Sequence, residues 1–129
     1  MNAPSVDIKD LLEDAGEGTF AADSGWGIYI SQEPTSPDRT ITLYDTGGMQ
    51  PLYSEGEEHP TVQVRVRAES YPTVYGKIQA IKSHFVYNGA RTINGTEYDF
   101  WLLSDVAFLR VDEMGRTILT MNLRMRRSD

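Results

Sequence analysis

The 129-residue chain has no cysteine, only two histidines and no long apolar run, and each gap removes a class of function. Without thiols there is no cysteine nucleophile, disulfide brace or thiolate metal site, and a reducing compartment is allowed. No stretch approaches the roughly 20 apolar residues that cross a bilayer. The first residues, MNAPSVDIKDLLEDAGEG, are acidic where a signal peptide would be basic and then apolar. The expectation is a protein made and kept in a cytoplasm, without membrane contact. His59 and His84 have no second histidine or carboxylate at ligand spacing, so both are expected in structural places, and no metal or other cofactor is expected. Gly16-Glu-Gly18 and Thr46-Gly-Gly48 lack the Lys-Ser/Thr and the strand-to-helix setting of a phosphate loop. Glu57-Glu58 and Asp112-Glu113 sit in expected loops, where solvation explains them better than acid–base chemistry. Nothing in the residues nominates an enzyme.

Basic side chains are also scarce: 12 Lys and Arg against 19 Asp and Glu, a formal charge of −7. The imbalance is local, since residues 1–60 carry 12 acidic and 2 basic side chains and residues 61–129 carry 7 and 10. Such a chain is poorly suited to general nucleic-acid binding, which needs clustered cations. If the halves occupy opposite ends of the fold, the molecule has unlike ends suited to ordered stacking; otherwise the acidic part serves solubility.

What is present is a change of hydrophobic period within Thr61–Tyr87. Val62, Val64, Val66 and Ala68 alternate with Gln63, Arg65 and Arg67 as in a strand with one buried face. Val74, Ile78, Ile81 and Phe85 then recur at helical spacing, with Pro72 in the first turn and Ser70 as the expected cap. Earlier, Ser5 or Asp7 caps a helix of about ten residues with Ile8, Leu11, Leu12 and Ala15 on its apolar side and Gly16 as its stop. Trp26–Ile30 and Thr40–Tyr44 read as strands separated by the turn-rich SQEPTSPDR. After the second helix come a tight turn at Asn94-Gly95, a strand over 98–111 broken near Ser104-Asp105, a turn at 112–115, and a strand over 116–126. The expected fold is α+β: one domain over 1–129, with a mostly antiparallel sheet of about four to five strands and helices packed on one face.

Two features stand out as interaction candidates. Residues 45–60, DTGGMQPLYSEGEEHP, have no periodicity and read as a mobile arm that also bears Glu57 and Glu58, and whose Met49, Leu52 and Tyr53 either dock on another chain or tuck under the loop itself. Arg65 and Arg67 in one strand, and Arg124 and Arg126 in the last, share one sheet face if those strands are neighbours. Three readings of that face are open: intersubunit ion pairs with acidic groups of another copy, contact with a passing nucleic-acid backbone, or ordinary solvent exposure.

The layout as a whole resembles the tail terminator proteins of long-tailed bacteriophages, also known as tail completion or minor capsid proteins. The residues that carry the resemblance are Pro37-Asp38, Asp45-Thr-Gly-Gly48, Pro60, Val64-Arg-Val-Arg67 and Tyr71. It implies a structural virion protein at the head–tail junction, assembled in the host cytoplasm. Members form a hexameric ring that binds the end of the tail tube, stops its polymerisation and meets the head connector. The implied partners are copies of itself, the tail tube protein and a head connector or completion protein, with DNA only as the passing genome. By the same resemblance, Arg65 and Arg67 fall on a polar strand face that lines either a subunit interface or the lumen. A head-completion or connector protein of the same particle is the nearest alternative, then a small α+β enzyme or ligand-binding domain, with a tube subunit third.

Overall fold

The computed structural model describes residues 1–49, 57–86 and 90–128. In chain order these form α1 (Pro4–Asp14), β1 (Thr19–Phe20), β2 (Gly27–Ile30), β3 (Thr40–Met49), β4 (His59–Ala68), α2 (Tyr71–Val86), β5 (Arg91–Ile93), β6 (Thr96–Val111) and β7 (Thr117–Ser128). The strands make one sheet in the order β1-β2-β3-β4-β7-β6-β5, curled into a half-barrel.

This corrects the sequence reading of four to five mostly antiparallel strands. The sheet has seven strands and is mixed, because β1, β2 and β3 run parallel to one another. The two-residue β1 and three-residue β5 are too short to carry any period. The parallel pairing escapes sequence reasoning because neighbouring parallel strands normally require a crossover of a dozen or more residues. Here the strands are so short that the return is made by loop, and Ala21 (φ 55°) and Ser31 (φ 63°) reverse the chain immediately after β1 and β2. Only β3, β4, β7, β6 and β5 alternate in direction.

The core follows the expected periods. Val62, Val64 and Val66 of β4 lie opposite Leu123, Met121 and Leu119 of β7, and all are inaccessible to solvent. Ile8, Leu11 and Leu12 of α1, and Val74, Ile78, Ile81 and Phe85 of α2, pack into the same cluster. Burying a side chain of this size contributes about 1.5–3 kcal/mol, so this layer is the main source of stability. Asn94 (φ 51°) and Gly95 (φ 79°) form the expected tight turn, now between β5 and β6.

The helix starts are capped differently from the sequence reading. α1 begins at Pro4, so Ser5 lies inside its first turn, where its backbone N–H donates to Asp45 Oδ1 of β3 at 3.0 Å and its hydroxyl donates to Oδ2. The anionic cap is tertiary, supplied to the positive end of the helix by a strand 40 residues away. Ser70 does precede α2; its carbonyl accepts the Val74 N–H at 3.1 Å, and its hydroxyl lies 2.9 Å from that of Thr73.

Candidate assembly surface

β4 and β7 are neighbours, so the four arginines do fall on one face, away from the helices. The register keeps them from forming a single cluster. Arg65 lies opposite Thr120 and Arg67 opposite Ile118, whereas Arg124 lies opposite Thr61. The two pairs therefore stand at opposite ends of the face, about 14 Å apart at the strand rise.

Their surroundings differ as well. Arg67 is 2% exposed. Its Nη2 donates to the Pro37 carbonyl at 2.8 Å and its Nε to the Asp38 carbonyl at 3.3 Å, with Glu33 Oε1 3.6 Å from Nη1. Beside it the buried Arg116 donates to the Thr35 carbonyl, to Asp38 Oδ1 at 3.3 Å and to Asp112 Oδ2 at 2.9 Å. Two adjacent cations thus hold the segment 33–38 as a strap across the face that the sequence left uncovered. Burial, and then the like charge of Arg116, lowers Arg67 from its ordinary value, but a guanidinium remains charged. Thr40 and Thr42, on the same face, are completely buried.

The other three arginines are more available. Arg65 is half-buried, lies over the Tyr44 ring at 5.1 Å from its centroid, and donates from Nε to Gln63 Oε1 at 3.0 Å. Burial, followed by the charge of Glu33, raises the Tyr44 phenol, which therefore stays neutral beside Arg65. Arg124 is half-buried, and its Nε has no hydrogen-bond partner among the described residues. Arg126 is exposed and paired with Asp99. A cavity of about 470 Å³ lined by His59, Trp101, Leu102, Leu103 and Arg124 opens beside this end of the face.

Of the expected arm, β3 takes the chain as far as Met49 and β4 resumes it at His59. Leu52, Tyr53 and the side chain of Met49 lie outside the described residues. Glu57 Oε1 sits 3.2 Å from His59 Nε2. Glu58 forms a two-way backbone bridge with Arg127 at 2.9 Å each way and accepts the Arg127 Nε at 2.8 Å.

That bridge belongs to a network that sequence reasoning missed. Arg127 also donates to the Asn2 carbonyl at 2.7 Å and to the Tyr98 hydroxyl at 3.1 Å, and Tyr98 donates to Asp7 Oδ2. Asp7, with no exposed surface, accepts further bonds at Oδ1 from Asn94 at 2.8 Å and Asn2 at 3.1 Å. Burial, and then the bond to Asp7, pushes the Tyr98 phenol well above its usual range. A second cluster joins Glu17 to Lys77 at 3.0 Å and His84 at 2.8 Å, tying the end of α1 to α2. Burial works to raise the Glu17 carboxyl, but the bonds from His84 and Lys77 outweigh it and hold the group below its ordinary value. These groups bond to one another within the chain, which gives them a structural role. Among the described residues no set of three His, Cys, Asp or Glu could hold a metal, and no helix is long and apolar enough to cross a membrane.

The most conspicuous surface is on β6. Trp101, Leu103, Phe108, Leu109 and Val111 are 40–58% exposed, and Met114 of the following turn is 63% exposed. β5 pairs only with Thr96, Glu97 and Tyr98, so beyond Tyr98 the outer side of β6 has no strand partner among the described residues.

Residues 11–129 match the family model described as bacteriophage tail terminator protein. Among curated proteins, none matches the sequence significantly. Among solved structures, the fold is similar to a chain of the virion of a native gene transfer agent particle, with a TM-score of 0.59 at 13% identity, over 79% of this chain and 78% of that one. A second solved chain, without a functional name, aligns over 98% of this chain and 92% of its own length, with a TM-score of 0.58 at 9% identity.

Proposed function

Because this chain belongs to the bacteriophage tail terminator family, and is therefore a structural, tail-associated virion protein, we propose that it forms a ring that caps the tail tube. By this reading the ring ends tube polymerisation and joins the tail to the head connector. The family match over residues 11–129 carries it. The proposed partners are further copies of the chain, as a hexamer, with the tail tube protein on one side and a head connector or completion protein on the other. DNA is met only as the genome passes. Assembly takes place in the host cytoplasm and the finished ring sits at the head–tail junction.

The sheet order is in keeping with this. It collects β1, β2 and β3, from the acidic half of the sequence, on one flank, and β7, β6 and β5, from the other half, on the opposite flank. A subunit with unlike flanks suits head-to-tail contacts that close by rotation. We assign Arg65, Arg124 and Arg126 to acidic groups of a neighbouring subunit, with the passing genome as their alternative partner; Arg67 is occupied inside the chain. The stretch bearing Met49, Leu52, Tyr53, Glu57 and Glu58 is assigned to the last tube ring, with Glu58 fixing its end through Arg127.

Light scattering over a concentration series, alone and with polymerised tail tubes, followed by negative-stain imaging, tests the reading. Rings in solution or at tube ends are expected. A monomer that ignores the tubes at every concentration contradicts it and favours a head-completion role.

A further inference from the structure

We infer that the ring is made by sheet extension: the open edge of β6 in one copy pairs with the open edge of β3 in the next. The inference rests on the ring reading above and specifies the surfaces that form it.

Both edges are open among the described residues. β2 covers β3 only as far as Leu43, leaving Tyr44–Met49 without a strand on that side. β5 covers β6 only as far as Tyr98. An open edge presents unpaired N–H and C=O groups that template another strand. On β6 that edge also carries Trp101, Leu103, Phe108, Leu109 and Val111, all at least 40% exposed. This combination of a free ladder and a free apolar surface is what strand addition uses.

Three observations select a second copy as the occupant. The first is height in the sheet. Tyr44 lies opposite Gln63, Gln63 opposite Asn122, and Asn122 opposite Ser104. The next rung runs Asp45, Val62, Leu123, Leu102. Tyr44 and Asp45, where the open edge of β3 begins, thus lie level with Ser104 and Leu102, which fall within the open edge of β6 that begins at Asp99, on opposite sides of one sheet. The second is direction. Each step from β3 to β4, β7 and β6 is antiparallel, so β6 runs opposite to β3. Copies related by rotation about an axis along the strands therefore bring β6 against β3 antiparallel, with every helical layer on the same side. The third is closure: this contact covers both edges of every subunit, whereas a two-fold β6-to-β6 contact, or a foreign strand on β6, leaves β3 open. The three register shifts within β6 limit the flat, regular stretch available, which opposes indefinite edge-to-edge aggregation.

The absence of cysteine allows a direct test. Within one chain β3 and β6 are three strand spacings apart, about 14 Å, beyond the roughly 7 Å Cα separation that a disulfide tolerates. Thr46→Cys combined in turn with Leu103→Cys and with Ala107→Cys scans the register. In at least one pair, mild oxidation of the full chain, with tail tubes present if rings form only there, should give a ladder of covalent multimers ending at the ring size. Each single variant alone should give none. Covalent dimers from Leu103→Cys alone would show the two-fold contact and overturn the proposal. Rings seen by imaging that never cross-link through either pair, and that persist in a Leu103→Asp/Phe108→Asp variant, would overturn it while leaving the ring reading intact. If neither rings nor ladders form with or without tubes, the ring reading fails and this inference fails with it.

Discussion

Asp7 has no exposed surface, and a carboxylate there costs several kcal/mol unless its oxygens find donors. Tyr98, Asn94 and Asn2 supply them from β6, the β5–β6 turn and the chain start, so one residue of α1 fixes where three distant segments lie. Tyr98→Phe keeps the ring but removes one donor from Asp7 and one acceptor from Arg127. A loss of about 1–3 kcal/mol in unfolding free energy is expected, read from urea midpoints; no loss would mean that the network is incidental. Arg65 and Arg67 make a sharper comparison. Arg67→Met should cost about 3–5 kcal/mol because it removes one partner of a buried ionic cluster, whereas Arg65→Met should stay within about 1 kcal/mol. Equal losses would contradict the strap. Alternation along β4 put both arginines on one face, but nothing near them in sequence showed that residues 33–38 return to cover Arg67.

At the scale of elements, Glu17 is the hinge of the helical layer. Its folded carboxyl is held below its ordinary value of 4.5, so the unfolded chain takes up the proton first as pH falls. The contribution is therefore complete above about pH 4.5 and is lost as pH drops toward the lowered folded value. Glu17→Gln should be less stable at pH 7 by about 1 kcal/mol and should lose stability less steeply below pH 4.5. Thermal midpoints across pH check this, and parallel acid limbs for the two proteins would refute it. β4, β7 and α2 were legible because each is long enough to repeat its period against one core. β1 and β5 were not, having only two and three residues. The cap of α1 was misplaced for another reason: Ser5 could be judged only against its local neighbours, while its partner, Asp45, arrives through the tertiary fold. The open edge of β6 left only a run of apolar and aromatic residues, which reads equally well as core.

For the whole molecule, the fold class was only half readable, because mixed pairing depends on which strands meet and not on where they begin. The exposed edge gives the surface a measurable consequence. If β6 mediates assembly, Leu103→Asp with Phe108→Asp should leave the thermal midpoint of the unassembled chain within a few degrees, since both side chains are more than half exposed. Ring formation should be lost in the same variant; a protein that still assembles normally would place the contact elsewhere.

The central claim is that the chain stops a growing tail tube. Purified tail tube protein should be polymerised with increasing substoichiometric amounts of this protein, and tube lengths and end structures recorded by negative-stain electron microscopy. The account predicts that tubes shorten as the ratio rises and that each arrested tube carries extra ring density at one end. Tubes of unchanged length with bare ends at every ratio would contradict it.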